Sequence, residues 1–239
     1  MVSGAAIAGL VGVTVVLFQQ WYADRRRFET DTLAPAYSYV SSMPKDCPWE
    51  NLPVPPWKEL DPYSWQKIPT KYRESFQRLA VQRDAYEAAY GRWFEFGGER
   101  GWASFDESLR SLFLPYSPDN GNTIIGRRIG LESNVTVPLH SLAYGSVPYV
   151  LLNIGGPDRA WDQLTNNSPG SMYWAKEAVR ALRKSDPALL QKVFDAIVAN
   201  PDSTKARTLL ESMRDSYGKF AVTANSVKMV LANRLGFKE

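Results

Sequence analysis

The chain has 239 residues, with 28 Lys plus Arg against 25 Asp plus Glu, and its 13% aromatic content and 16 prolines are not those of a disordered tail. Setting aside one arginine triplet leaves 25 positive against 25 negative residues, so the basic pI of about 8.9 gives no footprint for nucleic acid. A single cysteine, Cys47, excludes an intramolecular disulfide, and with one histidine, His140, it excludes a zinc site built from Cys and His.

The chain opens on an apolar run from Val2 to Phe18, followed by Trp21-Tyr22 and Arg25-Arg26-Arg27, with no charged side chain before Asp24. As a helix, Val2 to Tyr22 is roughly 31 Å long, the thickness of a bilayer's hydrocarbon core. A core helix or a cleaved signal peptide is the alternative, but no Lys or Arg precedes the run and no small-x-small cleavage site follows it. The expectation is a retained single-pass transmembrane helix over residues 1–23. Trp21, Tyr22, Arg25, Arg26 and Arg27 then sit at the membrane interface, and the arginines leave the rest of the chain cytoplasmic. Gly4, Ala8 and Gly12 share one face at the small-residue spacing that lets membrane helices associate, although a plain lipid-facing helix fits the same residues. Asn134-Val-Thr136 and Asn166-Asn-Ser168 become glycosylation sequons only if the topology is reversed in a secretory membrane.

Beyond the span, Arg26, Thr30, Leu33, Tyr37 and Val40 recur at helical spacing and predict a juxtamembrane helix to about Met43, with Pro35 as a kink. Prolines at 44, 48, 53, 55, 56, 62 and 69, with tryptophans at 49, 57 and 65, predict an extended connector without helix. Pro53-Val-Pro55-Pro56 fits the ligand pattern for aromatic grooves, but a proline-tryptophan belt packed on its own domain explains the tryptophans equally well. Thr70 caps a helix running to about Phe96, where Gly97-Gly98 stops it. Its seam is Tyr72, Phe76, Leu79, Arg83, Tyr86, Tyr90 and Trp93. Paired antiparallel with the juxtamembrane helix, this seam places Val40 near Tyr72, Leu33 near Leu79 and Thr30 near Arg83. It also returns Trp93, Phe94 and Phe96 to the headgroup region.

Ser104-Phe-Asp-Glu107 reads as a capping box opening a short helix through Leu109, Leu112 and Phe113. From 115 to 148 the pattern is weak: Ser117 to Gly121 is turn chemistry, and Thr123-Ile-Ile and Val135-Thr-Val suit short strands. Tyr149 to Ile154 is apolar on all sides and buried as helix or strand, and Asp158 to Leu164 is one or two helical turns. Four helices follow from Ser171, the second opened by Asp186-Pro187, the third carrying Ala206 to Tyr217, and the fourth running from Phe220 to a Gly236 cap. The fold class expected is mostly α: a single N-terminal transmembrane helix, a long helical hairpin with a proline/tryptophan-rich connector over 24–98, and a C-terminal antiparallel helical bundle over 99–239.

Catalytic signatures are weak. Cys47 and His140 have no motif around them, Gly121 to Gly126 lacks the Lys-Ser/Thr of a phosphate loop, and Asp106, Glu107 and Asp186 are accounted for as helix caps. No catalytic, cofactor-binding or metal residue is assigned and no cofactor is expected. The sequence points to a membrane-anchored scaffold, adaptor or accessory subunit, with the lipid bilayer and either a protein partner or a second copy as partners. A sensor signalling through association of its transmembrane helix is one alternative, and an enzyme using carboxylates and arginines is another.

Overall fold

The computed structural model describes residues 4–48, 51–97, 101–132, 134–168 and 170–237, with the side chains of residues 4–15 and of residue 167 outside that description. These residues are mostly helical and divide into two compact units, Met1–Tyr86 with Ser216–Glu239, and Glu87–Asp215.

In the first unit, helix α1 (Gly4–Phe28) passes through a five-residue π turn (Glu29–Leu33) into α2 (Ala34–Ser41). The turn is where Pro35 acts: it has no N–H for the carbonyl of residue 31, and its ring crowds that carbonyl. The chain absorbs the conflict by widening, so that the Ala34 N–H donates to the Glu29 carbonyl five residues back. Leu33, Ala36, Tyr39 and Val40 are buried beyond it. Among the described residues no helix is long and apolar enough to cross a membrane. Of the run expected to span, only Val16, Leu17 and Phe18 have described side chains, and all three are exposed.

The connector is not free of helix. Asp61 accepts from the Tyr63 and Ser64 N–H groups at 2.9 and 3.0 Å and opens α3 (Pro62–Lys67) with proline in its first turn, after a 3-10 turn at Pro56–Glu59. Asp-Pro is a start signal here, as it is at Asp186-Pro187, and counting prolines as breakers concealed it. The connector also packs on its own unit. Trp57 is buried, its ring stacked on Phe76 at 4.6 Å and edge-on to Tyr39 at 5.2 Å. The Pro53 carbonyl accepts from Tyr39 Oη and Arg83 Nε, and Pro55 is buried, while Pro53 and Val54 are exposed. Trp49 lies outside the described residues.

Helix α4 (Thr70–Phe96) has the seam expected of it, with Tyr72, Phe76, Leu79, Tyr86 and Trp93 all buried. Thr70 is not its cap: the Tyr72 and Arg73 N–H groups donate to the Pro69 carbonyl, and Thr70 Oγ1 accepts from Arg73 Nη2. The antiparallel register is corrected as well. The Tyr72 ring lies 5.9 Å from that of Phe28, Phe76 meets Tyr39 through Trp57, and Tyr86 Oη donates to the Pro48 carbonyl at 2.7 Å. Ascending α4 thus follows ascending residues from α1 to the connector, which makes α4 parallel to α1 and α2. The connector itself runs back along their length, as its Tyr39 and Arg83 contacts at Pro53 require.

The antiparallel partner of both is the C-terminal helix, α10 (Ser203–Leu235). Tyr217 donates to the Pro44 carbonyl and meets Tyr86 at 5.4 Å, whereas Arg234 pairs with Glu29 at 3.0 Å. Expected as two helices, α10 is one of 33 residues. Its buried positions Ala206, Leu210, Met213, Tyr217, Phe220, Ala224, Val227 and Leu231 alternate by four and three through Gly218 without a break. Gly236, with φ of 78°, ends it, and the Phe237 N–H closes back on the Ala232 carbonyl, which puts the Phe237 ring 4.9 Å from Tyr37.

In the second unit, α5 (Trp102–Phe113), α7 (Pro157–Asn167), α8 (Tyr173–Ser185) and α9 (Pro187–Ala199) gather around α6 (Leu139–Leu151). Almost all of α6 from Leu142 to Leu151 is buried, with Pro148 inside it, so proline and glycine there marked a core helix and not a loop. Strands β1 (Thr123–Ile125) and β2 (Thr136–Pro138) pair antiparallel with Ile124 opposite Val137 and lead into α6. Asp186 caps α9 through the Leu189 N–H at 2.9 Å and accepts from Tyr116 Oη at 2.9 Å; those two bonds hold its carboxyl below the usual carboxylate range. Asn200 ties α5 to the start of α10, its amide donating to the Ser104 carbonyl and Ser108 Oγ at 3.0 and 2.8 Å.

Candidate functional site

Three places have chemistry that the fold does not consume. The first is the polar end of α1. Trp21 and Tyr22 are exposed, with the Arg25 guanidinium 5.5 Å from the Trp21 ring centre and that of Arg26 5.1 Å from the Tyr22 ring centre. Arg27 is exposed beside them. Helical spacing of four sets these cation-ring pairs, and Arg25 also meets Glu29 at 3.3 Å. Gly4, Ala8 and Gly12 fall on α1, outside the described side chains.

The second lies in the Glu87–Asp215 unit, at the corner between α4 and α5. Trp93 and Phe96 are buried there, their rings 5.9 Å apart, with Trp93 edge-on to Trp102 at 5.1 Å. These rings are therefore core, not the membrane belt expected of them, and only Phe94, at 69% exposure, is open. The corner closes because two glycines lack side chains. A Cβ at Gly97 meets Trp102 Nε1 at 1.9 Å, and one at Gly101 meets the Phe96 carbonyl at 2.5 Å. Trp102 in turn stands edge-on to Tyr144 of α6 at 5.1 Å. The result is a pocket of about 250 Å³ lined, among the described residues, by Tyr90, Trp93, Phe94, Gly97, Trp102 and Tyr144, none of them charged. Gly97 reads in the sequence as a helix stop only. The missed signal was the run Gly97-Gly-Glu-Arg-Gly101-Trp102 after an aromatic helix end, where small residues permit close ring packing.

The third is Asp106. The helix it belongs to starts at Trp102, not at Ser104, and Gly101 at its N-cap makes no side-chain cap. The capping-box reading fails because Ser104 is already inside the helix, where its hydroxyl meets Asn200, and Glu107 pairs with Arg110 at 2.8 Å. Asp106 is turned inward with Oδ1 buried and without a hydrogen-bond partner, and Arg110 Nε is buried likewise. Burial pushes the Asp106 carboxyl above the usual carboxylate range, opposed by the charges of His140 and Arg110. Because ionisation is disfavoured in the folded chain, the cost is absent below the unfolded-state pKa and grows as pH rises through the folded one. Asp106→Asn is therefore expected to raise the melting temperature at pH 7 and to leave it unchanged at pH 3, as followed by calorimetry. A higher melting temperature at pH 3 alone contradicts the assignment.

Among the described residues no group of three or more His, Cys, Asp or Glu is placed to hold a metal ion. Cys47 is half-buried, with its thiol 3.7 Å from the Pro48 carbonyl, and His140 is exposed at the start of α6. Gly121 occupies a left-handed turn with φ of 91° before β1, and Arg128 donates to the Pro115 carbonyl at 3.1 Å. Compared with known protein families, with curated proteins and with solved structures, the chain finds no match.

Proposed function

We propose that the protein is a single-pass, membrane-anchored helical protein whose cytoplasmic part binds a partner, as a scaffold, adaptor or accessory subunit. The observation that carries this reading is the order along α1: an apolar run from Val2 to Phe18, then exposed Trp21 and Tyr22, then Arg25, Arg26 and Arg27 with two guanidinium groups over the two rings. Amphipathic rings favour the headgroup level, arginines next to them add roughly 1 kcal/mol each toward anionic lipid, and positive flanks stay on the cytoplasmic side. No catalytic role is proposed.

The test is topological. A reporter active only in the cytoplasm, fused after Glu239, is expected to be active, and one active only outside is expected to be silent. The protein should also stay in the membrane pellet at alkaline pH. An active outside reporter, or release into the supernatant, overturns the anchor. Purification from an uncharged detergent is expected to bring down one stoichiometric partner.

A further inference from the structure

The aromatic corner has a chemistry of its own, independent of the membrane reading. We propose that the pocket formed by Tyr90, Trp93, Phe94, Trp102 and Tyr144 over Gly97 binds a small quaternary ammonium group, either a free choline-type ion or the same group in a phosphocholine headgroup.

Its wall is five aromatic rings and a glycine. Successive rings stand nearly at right angles, Trp93 to Trp102 at 86° and Trp102 to Tyr144 at 70°, so their faces turn in several directions about one space. Ring faces are the negative side of the aromatic quadrupole and attract cations. A primary ammonium or a guanidinium entering the pocket leaves N–H donors to be satisfied, and among the described residues no carboxylate lines it to satisfy them. A quaternary ammonium has no N–H, loses little hydration, and asks only for ring faces. At about 250 Å³ the space is below that of drug-sized ligands and suits a headgroup.

The experiment is calorimetric titration of the full-length protein in a maltoside detergent with choline, with its neutral isostere 3,3-dimethylbutan-1-ol, and with monomeric short-chain phosphatidylcholine. Saturable choline binding, about tenfold or more tighter than that of the isostere, is the expected result. Phe94→Leu removes an exposed ring without touching the core, and is expected to weaken choline binding about tenfold at an unchanged melting temperature. Binding of both choline and the short-chain lipid assigns the headgroup as source, and binding of choline alone assigns the free ion. The proposal is overturned by an isostere that binds as tightly as choline, by no saturable choline binding, or by full choline affinity in folded Phe94→Leu.

Discussion

Trp57→Ala is expected to cost about 3–5 kcal/mol, a large part of the roughly 5–15 kcal/mol that holds a domain together. Trp57 is 5% exposed and is the piece of the connector that joins α2 to α4, stacked on Phe76 at 4.6 Å and edge-on to Tyr39 at 5.2 Å. Truncation leaves a cavity the size of an indole between the Phe76 and Tyr39 rings. Trp57→Phe separates ring from size. It keeps a face for Phe76 and removes the buried Nε1–H, which has no hydrogen-bond partner among the described residues. Relief of that orphan donor offsets part of the lost area, so the phenylalanine variant should fall within about 1–2 kcal/mol of wild type. Urea unfolding followed by near-ultraviolet circular dichroism reads both values, and protease cleavage within residues 42–69 of the alanine variant shows the connector released. An alanine variant that unfolds at the wild-type midpoint refutes the belt as a structural element.

Helical periodicity was the legible part of the sequence. The seam of α4 and the stripes of α8, α9 and α10 appear as buried faces because an apolar residue every three or four positions can be buried in only one way. What failed was punctuation. Tyr217 and Phe220 are expected in separate helices, although the four-three alternation from Tyr217 to Phe220 to Ala224 does not lose phase, and phase is the stronger signal. Pro62 counts among the prolines of a connector expected without helix, and Pro148 closes the stretch of weak pattern. Pro62 follows a capping aspartate, where its missing N–H is not needed, and Pro148 sits in a helix whose burial outweighs one lost bond. The direction of α4 was not legible at all. A 26-residue connector reaches either end of its neighbour, and the choice was made by long-range contacts at Pro48, Pro53 and Trp57.

The candidate sites divide in the same manner. The cation-ring pairs Trp21–Arg25 and Tyr22–Arg26 are local in sequence, set by a spacing of four. The aromatic pocket brings Tyr90 and Trp93 together with Trp102 and Tyr144, from three helices, and depends on two glycines whose role is visible only once the rings are in place. Asp106 was hidden by a motif match: Ser-x-x-Glu is satisfied on paper, yet the helix starts two residues earlier and turns the carboxylate inward.

Glycine to alanine in a helix ordinarily stabilises, by about 0.5–1 kcal/mol, because alanine loses less backbone freedom on folding. Gly218→Ala in α10 is expected to show this gain, since nothing lies within 4 Å of the added methyl. Gly145→Ala in α6 should do the opposite. There the new Cβ falls 2.3 Å from the Ala175 Cβ of α8, an atom fixed to its backbone with no rotamer to escape into, and 3.7 Å from the Met172 Cβ. The helices must separate, and α6 is the element around which α5, α7, α8 and α9 are packed. Overpacking of this kind costs about 1–3 kcal/mol, which exceeds the propensity gain and leaves a net loss. Gly145→Leu should cost more still and leave little folded protein. Ala175→Gly in the Gly145→Ala background supplies the missing space from the other side, so the pair should recover most of the loss despite the weaker helix former in α8. Thermal melts of the three single variants and the double variant decide the matter. If Gly145→Ala melts with Gly218→Ala above wild type, or if Ala175→Gly fails to rescue it, the close crossing of α6 and α8 is not what holds the second unit together.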